Sequence, residues 1–227
     1  MYKINENYFE KIDSKNKAYW IGFISADGNV YKNKLSIELN NKDDELLKQF
    51  ITDLETPRPL YYRERKNGTK SVTVEIRNNK IVEDLRKYNI IPKKTYNLCF
   101  PNIDKKYYKD YIRGFFDGDG TYVLQKKLRF IKSKEKYENK TYCEIACVCK
   151  CKDFLLNISN ILLDNNINNH LYYSKRDDLY YIRIYGISNC KNFISYIYYD
   201  DCRMLLRKKK KALEIINIAS HNSNIML

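Results

Sequence analysis

The chain has 227 residues, in which 42 Lys and Arg outnumber 28 Asp and Glu to give a net charge of +14 and an isoelectric point near 9.3. A polyanionic partner is the simplest reason for that imbalance, and a content of 44% hydrophobic and 14% aromatic residues excludes a disordered basic tail. No apolar stretch reaches the roughly 20 residues of a membrane span, and the acid-bearing N-terminus lacks the apolar core of a secretory signal. Seven cysteines, an odd number, point away from a disulfide framework and toward a reducing, intracellular compartment. With two histidines in the whole chain, His-dependent mechanisms are poorly supplied.

In chain order, a helix is predicted ahead of Gly28. Leu35, Ile37 and Leu39 then alternate with Ser36, Glu38 and Asn40, the period of a half-buried strand. Asp43, Asp44 and Glu45 place acids in the first turn of a helix running to about Leu54, where they suit its dipole. Pro57 and Pro59 end that helix, and residues 60–66 and 70–77 read as a hairpin turning at Asn67-Gly68, with Val72, Val74 and Ile76 inward. Ile81, Leu85 and Tyr88 fit a short helix. The second half repeats the order, with strands near 121–130 and 141–149 and a helix from 153 to about 164. Strands near 171–175 and 179–185 and helices near 191–198 and 204–218 complete it. The fold class expected is α+β, one αββαββα unit used twice about a pseudo-twofold axis.

Pro101 marks the boundary, dividing the chain into residues 1–102 and 103–227. The first part carries 19 basic and 14 acidic residues and the second 23 and 14, so the halves are +5 and +9. Both are basic, which suggests that they share one polyanion.

The halves are tied by a repeat. Trp20-Ile21-Gly22-Phe23-Ile24-Ser25-Ala26-Asp27-Gly28 recurs as Ile112-Arg113-Gly114-Phe115-Phe116-Asp117-Gly118-Asp119-Gly120. A glycine inside a helix costs about 1 kcal/mol relative to alanine, so Gly22 and Gly114 make sense where two helices approach too closely for side chains. Packed about a twofold axis, the helices bring Asp27 and Asp119 side by side at their C-terminal ends, with Gly28 and Gly120 as C-caps. Two carboxylates at two negative dipole ends repel unless a cation lies among them, and hard oxygen ligands suit Mg²⁺.

These residues resemble the single-chain LAGLIDADG homing endonucleases, which carry two such motifs. The resemblance spans residues 18–28, then Ile91-Pro92-Lys93-Lys94-Thr95 and Phe100-Pro101, then 111–120, then Tyr198 to Lys209. It implies curved antiparallel sheets forming a DNA-binding saddle, and a monomeric enzyme that hydrolyses double-stranded DNA at a long asymmetric site, leaving short 3′ overhangs. Mg²⁺ is the implied cofactor, with Mn²⁺ or Ca²⁺ as substitutes and Ca²⁺ not expected to support cleavage. Asp27 and Asp119 are the implied metal ligands, with the adjoining Gly28 and Gly120 completing the expected site. The assisting lysines carry over to Lys94 and Lys209, the latter preferred to Lys208 because Leu98 and Leu213 each lie four residues beyond. Intron RNA is a second partner the resemblance allows, in a maturase that binds without cutting; a catalytically inactive DNA-binding regulator is a third reading. Ser25 departs from the motif where the second copy has Asp117, and altered helix packing is the expected result.

Recognition is expected on the open faces of the hairpins. Thr73, Glu75 and Arg77 share one face, as do Arg63 and Arg65; Gln125, Lys127 and Arg129 form a third set, and Tyr181 and Arg183 a fourth. A two-stranded ribbon fits the major groove, and Arg, Lys and Gln pair with base edges there.

Overall fold

The computed structural model describes residues 2–92 and 94–223. The first unit runs α1 (Lys15–Asp27), β1 (Gly28–Tyr31), β2 (Lys34–Asn40), α2 (Asp44–Asp53), β3 (Tyr61–Glu64), β4 (Lys70–Arg77) and α3 (Asn79–Lys87). The second repeats it as α4 (Tyr108–Asp119), β5 (Thr121–Ile131), β6 (Lys136–Cys149), α5 (Lys152–Asp164), β7 (His170–Ser174), β8 (Leu179–Tyr185) and α6 (Ile187–Ile197), and α7 (Leu206–Ser223) follows. Each unit holds a four-stranded antiparallel sheet, ordered β1-β2-β4-β3 and β5-β6-β8-β7.

Alternation along the strands decides which sheet face is covered. Leu35, Ile37 and Leu39 of β2 lie opposite Ile76, Val74 and Val72 of β4 and are buried together under the helices. In the second sheet Ile145 and Cys147 face Ile184 and Ile182 in the same way. The opposite faces stay open, and every residue predicted for recognition on β4, β5 and β8 lies on them.

One expectation is corrected: strand β6 begins at Lys136 rather than near Thr141, so β5 and β6 form a much longer hairpin than β1 and β2. Gly28 and Gly120 are the C-caps, each N–H bonding back to Ile24 or Phe116, but with φ values of −76° and −71° they continue directly into strands and do not use glycine's left-handed region. Glycine is required by space instead, since a Cβ would lie 2.7 Å from the Ile24 carbonyl oxygen or 2.4 Å from that of Phe116.

Helices α1 and α4 cross in backbone contact at the centre of the molecule. A Cβ on Gly22 would stand 2.1 Å from the Tyr111 carbonyl oxygen, and one on Gly114 would stand 2.1 Å from that of Tyr19. The contact is therefore twofold in its details as well as in sequence. A further link crosses between the units: Asp53, which accepts from Trp20 Nε1 of its own unit at 2.7 Å, also accepts from Arg203 of the second at 2.6 and 3.0 Å.

Candidate active site

Tyr19 and Tyr111, three residues before each motif glycine, reach across the helix crossing. Tyr111 donates to Ser25 Oγ at 3.1 Å, and Tyr19 donates to Asp117 Oδ2 at 3.0 Å. Asp117 also accepts from Tyr198 at 2.5 Å and from the backbone N–H of Leu205 at 2.8 Å, so it ties α1 and the start of α7 to α4. Ser25 is satisfied more simply, donating to the Ile21 carbonyl at 2.7 Å. The motif difference at these two positions thus changes how the helices are pinned and leaves Asp27 in place. Burial pushes the Asp117 carboxyl up to about 6, against the opposing pull of its donors.

Asp27 and Asp119 close the two crossing helices. Burial raises the carboxyl of Asp27, and the charges of Lys94, Arg207 and Lys208 oppose that. Asp119 is pushed up to about 6, first by the protein packed around it and then by the negative charge of Asp27, with Lys94 and Lys208 opposing. The two carboxylates therefore feel each other, as the repeat predicts. Asp27 opens onto a groove of about 780 Å³ that also takes in Gly118, Asp43, Arg65 and Arg207. Asp119 lines a smaller recess of about 180 Å³ with Ser25, Lys94 and Cys149.

Two lysines complete the pattern. Lys94, in a short 3-10 turn, donates its Nζ to the carbonyl of Gly28, and Lys208 donates its Nζ to the carbonyl of Gly120. Desolvation lowers the pKa of both. Lys208, not Lys209, is thus the counterpart of Lys94. Leu205, just before helix α7, and Lys208, Ala212, Ile215 and Ala219 within it are buried at a spacing of three and four residues, whereas Lys209 faces solvent and Leu213 is 47% exposed. The spacing to Leu213 misled because that leucine is not on the inward face.

The carbonyls of Gly28 and Gly120 each accept a hydrogen bond from an ammonium group, beside the carboxylates of Asp27 and Asp119. Among the described residues, no group of three or more His, Cys, Asp or Glu stands together as a metal cluster. Two carboxylates under mutual repulsion nevertheless fit a hard divalent cation whose remaining ligands are water and substrate phosphate, the usual habit of Mg²⁺.

A family model for the LAGLIDADG-like domain matches residues 14–88 and again residues 106–198, once in each unit. The chain belongs to that family. Among solved structures, the LAGLIDADG meganuclease I-AabMI bound to uncleaved DNA superposes with a TM-score of 0.63 at 14% identity, covering 93% of this chain and 92% of that one. The homing endonuclease I-LtrWI bound to target DNA gives 0.62 at 13%, covering 95% and 92%. I-SmaMI bound to cleaved DNA gives 0.62 at 15%, covering 94% and 92%. At such identities these likenesses establish the LAGLIDADG fold. The replication factor C small subunit of Methanocaldococcus jannaschii is 24% identical over 214 residues, which are 92% of this chain and 10% of that protein. The chain thus spans about a tenth of the length of that curated relative.

The open sheet faces carry the predicted recognition residues in paired ranks. Glu38 lies opposite Thr73, Ser36 opposite Glu75, and Lys34 opposite Arg77. Several are braced within the face: Arg65 on Glu38 at 2.9 Å, Lys34 on Glu75 at 2.6 Å, and Arg183 on Glu144 at 3.3 Å. Lys127 stands 4.4 Å over the ring of Tyr142, and Tyr181 donates to Asp177 at 2.9 Å. Sequence reasoning missed Arg207, whose Nε reaches Asp43 of the first unit at 2.9 Å beside Asp27. It also missed the Tyr19 and Tyr111 pair, although Tyr-x-x-Gly recurs in register in both motif copies and is a readable signal.

Proposed function

We propose that this LAGLIDADG protein is a site-specific double-strand DNA endonuclease that hydrolyses phosphodiesters with a divalent cation and leaves short 3′ overhangs. The observation carrying this reading is the twofold doubling of the chemistry, with one acid and one lysine at the C-terminal end of each crossing helix. The strands of a duplex are antiparallel and related by a local dyad, so two centres related by a pseudo-twofold axis can address one strand each. Asp27 and Asp119 would hold a divalent cation there, which would supply an activated water and charge neutralisation at phosphorus. Lys94 and Lys208, fixed on the adjoining carbonyls with their charges partly desolvated, lie where they stabilise negative charge developing on the phosphate oxygens. The open sheet faces bind the duplex, and the net charge of +14 supplies the sequence-independent part of the affinity.

The test is selection of duplexes from a randomised library by the purified protein, followed by incubation with and without Mg²⁺ and sequencing of the ends. Discrete Mg²⁺-dependent cuts with short 3′ overhangs are expected. Asp27→Asn or Asp119→Asn abolishes double-strand cleavage and leaves binding measurable. Robust cleavage by both variants refutes the assignment of the acids.

A further inference from the structure

The two halves differ in one feature that the twofold repeat does not explain. In the first unit, the β1–β2 hairpin turns level with the end of its neighbour: Tyr31 pairs with Lys34, and Lys34 itself pairs with Arg77 of β4. In the second unit, β8 supports β6 only from Glu144 to Cys149, while β5 and β6 stay paired outward from Gln125–Tyr142 to Ile131–Lys136. Seven rungs therefore project beyond the sheet as a bare two-stranded ribbon. At about 3.3 Å per residue, it reaches about 20 Å past its supports, the length of about six base pairs.

The ribbon has two unlike faces. Gln125, Lys127 and Arg129 lie opposite Tyr142, Lys140 and Glu138, and continue the open face that bears Arg183. On the other face, Phe130 and Tyr137 form a cross-strand ring pair with centroids 5.1 Å apart, next to Leu128. That pair holds the strands together where no core lies beneath them. Residues 125–142 contain seven Lys or Arg against two Glu, a concentration of positive charge on a segment with little burial to stabilise it. An isolated hairpin of this kind is only marginally stable in water, and a polyanionic groove supplies both the charge complement and the missing contact surface.

We propose that the β5–β6 ribbon is an arm that enters the major groove of duplex DNA outside the saddle on the second unit's side only, so that the protein reads a longer stretch on that side of its target. The inference rests on the DNA-binding reading above and adds an asymmetry to it. Its partner is duplex DNA rather than a protein, because the charged face is continuous with the open sheet.

The test uses duplexes selected from a randomised library by the full chain, mapped by hydroxyl-radical footprinting. Protection should extend about six base pairs further on one side of the centre than on the other. A triple variant, Lys127→Ala, Arg129→Ala and Lys140→Ala, should lose that outer protection alone, and its salt slope should fall by about 2 to 3. A second variant, in which residues 127–140 are replaced by Asn-Gly, keeps the pairing register and should give the same footprint, with circular dichroism confirming that it folds. Equal protection on both sides, or an outer footprint unchanged in both variants, overturns the arm and leaves the endonuclease reading standing. Failure of the wild-type chain to enrich any duplex overturns the DNA reading, and the arm with it.

Discussion

The helix crossing makes a strong claim about Gly114→Ala. The added Cβ would lie 2.1 Å from the Tyr19 carbonyl oxygen and 2.7 Å from the Phe23 nitrogen, both backbone atoms that no side-chain rotation can move aside. Overpacking of this kind costs about 1 to 3 kcal/mol, and separating the helices also stretches the Tyr19–Asp117 and Tyr111–Ser25 hydrogen bonds, about 1 kcal/mol each. Alanine returns about 1 kcal/mol in helix propensity, so the net loss is about 3 kcal/mol. For a chain of this size, that lowers Tm by about 6 to 12 °C. Thermal unfolding followed by circular dichroism measures it, with Gly68→Ala as the comparison. Gly68 sits at φ +80° in an open turn with no atom within 4 Å of the added Cβ, so its cost is backbone strain alone, about 1 kcal/mol. If Gly114→Ala melts within about 2 °C of wild type, the backbones are not in contact and the twofold packing argument fails.

Two further outcomes follow from the same geometry. Lys208→Ala should slow cleavage by about 10² to 10³, while Lys209→Ala stays close to wild type, measured as single-turnover rates on a selected duplex; the reverse order would restore Lys209 as the site lysine. Asp117 has a folded pKa of about 6, above its unfolded value, so its stabilising contribution is fully present below about pH 4 and is lost as the pH rises through about 6. The whole effect is about 3 kcal/mol, of which about 2 falls between about pH 4.5 and about pH 7. Asp117→Asn lacks this titration. Urea unfolding should therefore show the variant gaining about 2 kcal/mol on wild type across that range, and a pH-independent gap would refute the burial argument.

Much of this protein is set by local pattern. The alternation in β2 and β4, the acids opening α2 and the Asn67-Gly68 turn act over a few residues, and each element forms where the sequence indicates. The repeated motif goes further, because a glycine in the same helical position of two copies has few uses besides a close crossing, and the paired Asp27 and Asp119 follow from that crossing. Tertiary structure decided which of the adjacent lysines reaches the site. Successive residues on a helix differ by about 100° in direction, so Lys208 and Lys209 are indistinguishable until the phase of α7 is fixed. That phase is set by Leu205, whose N–H is held by Asp117, a residue 88 positions away. Arg207 on Asp43 and Arg203 on Asp53 depend in the same way on how the halves dock, as does the use of the Gly28 and Gly120 carbonyls by lysine. The overhang of β5 and β6 had a different origin. Strand pairing propagates as far as both chains can follow, and only the ending of β8 opposite Glu144 leaves the ribbon without a third strand.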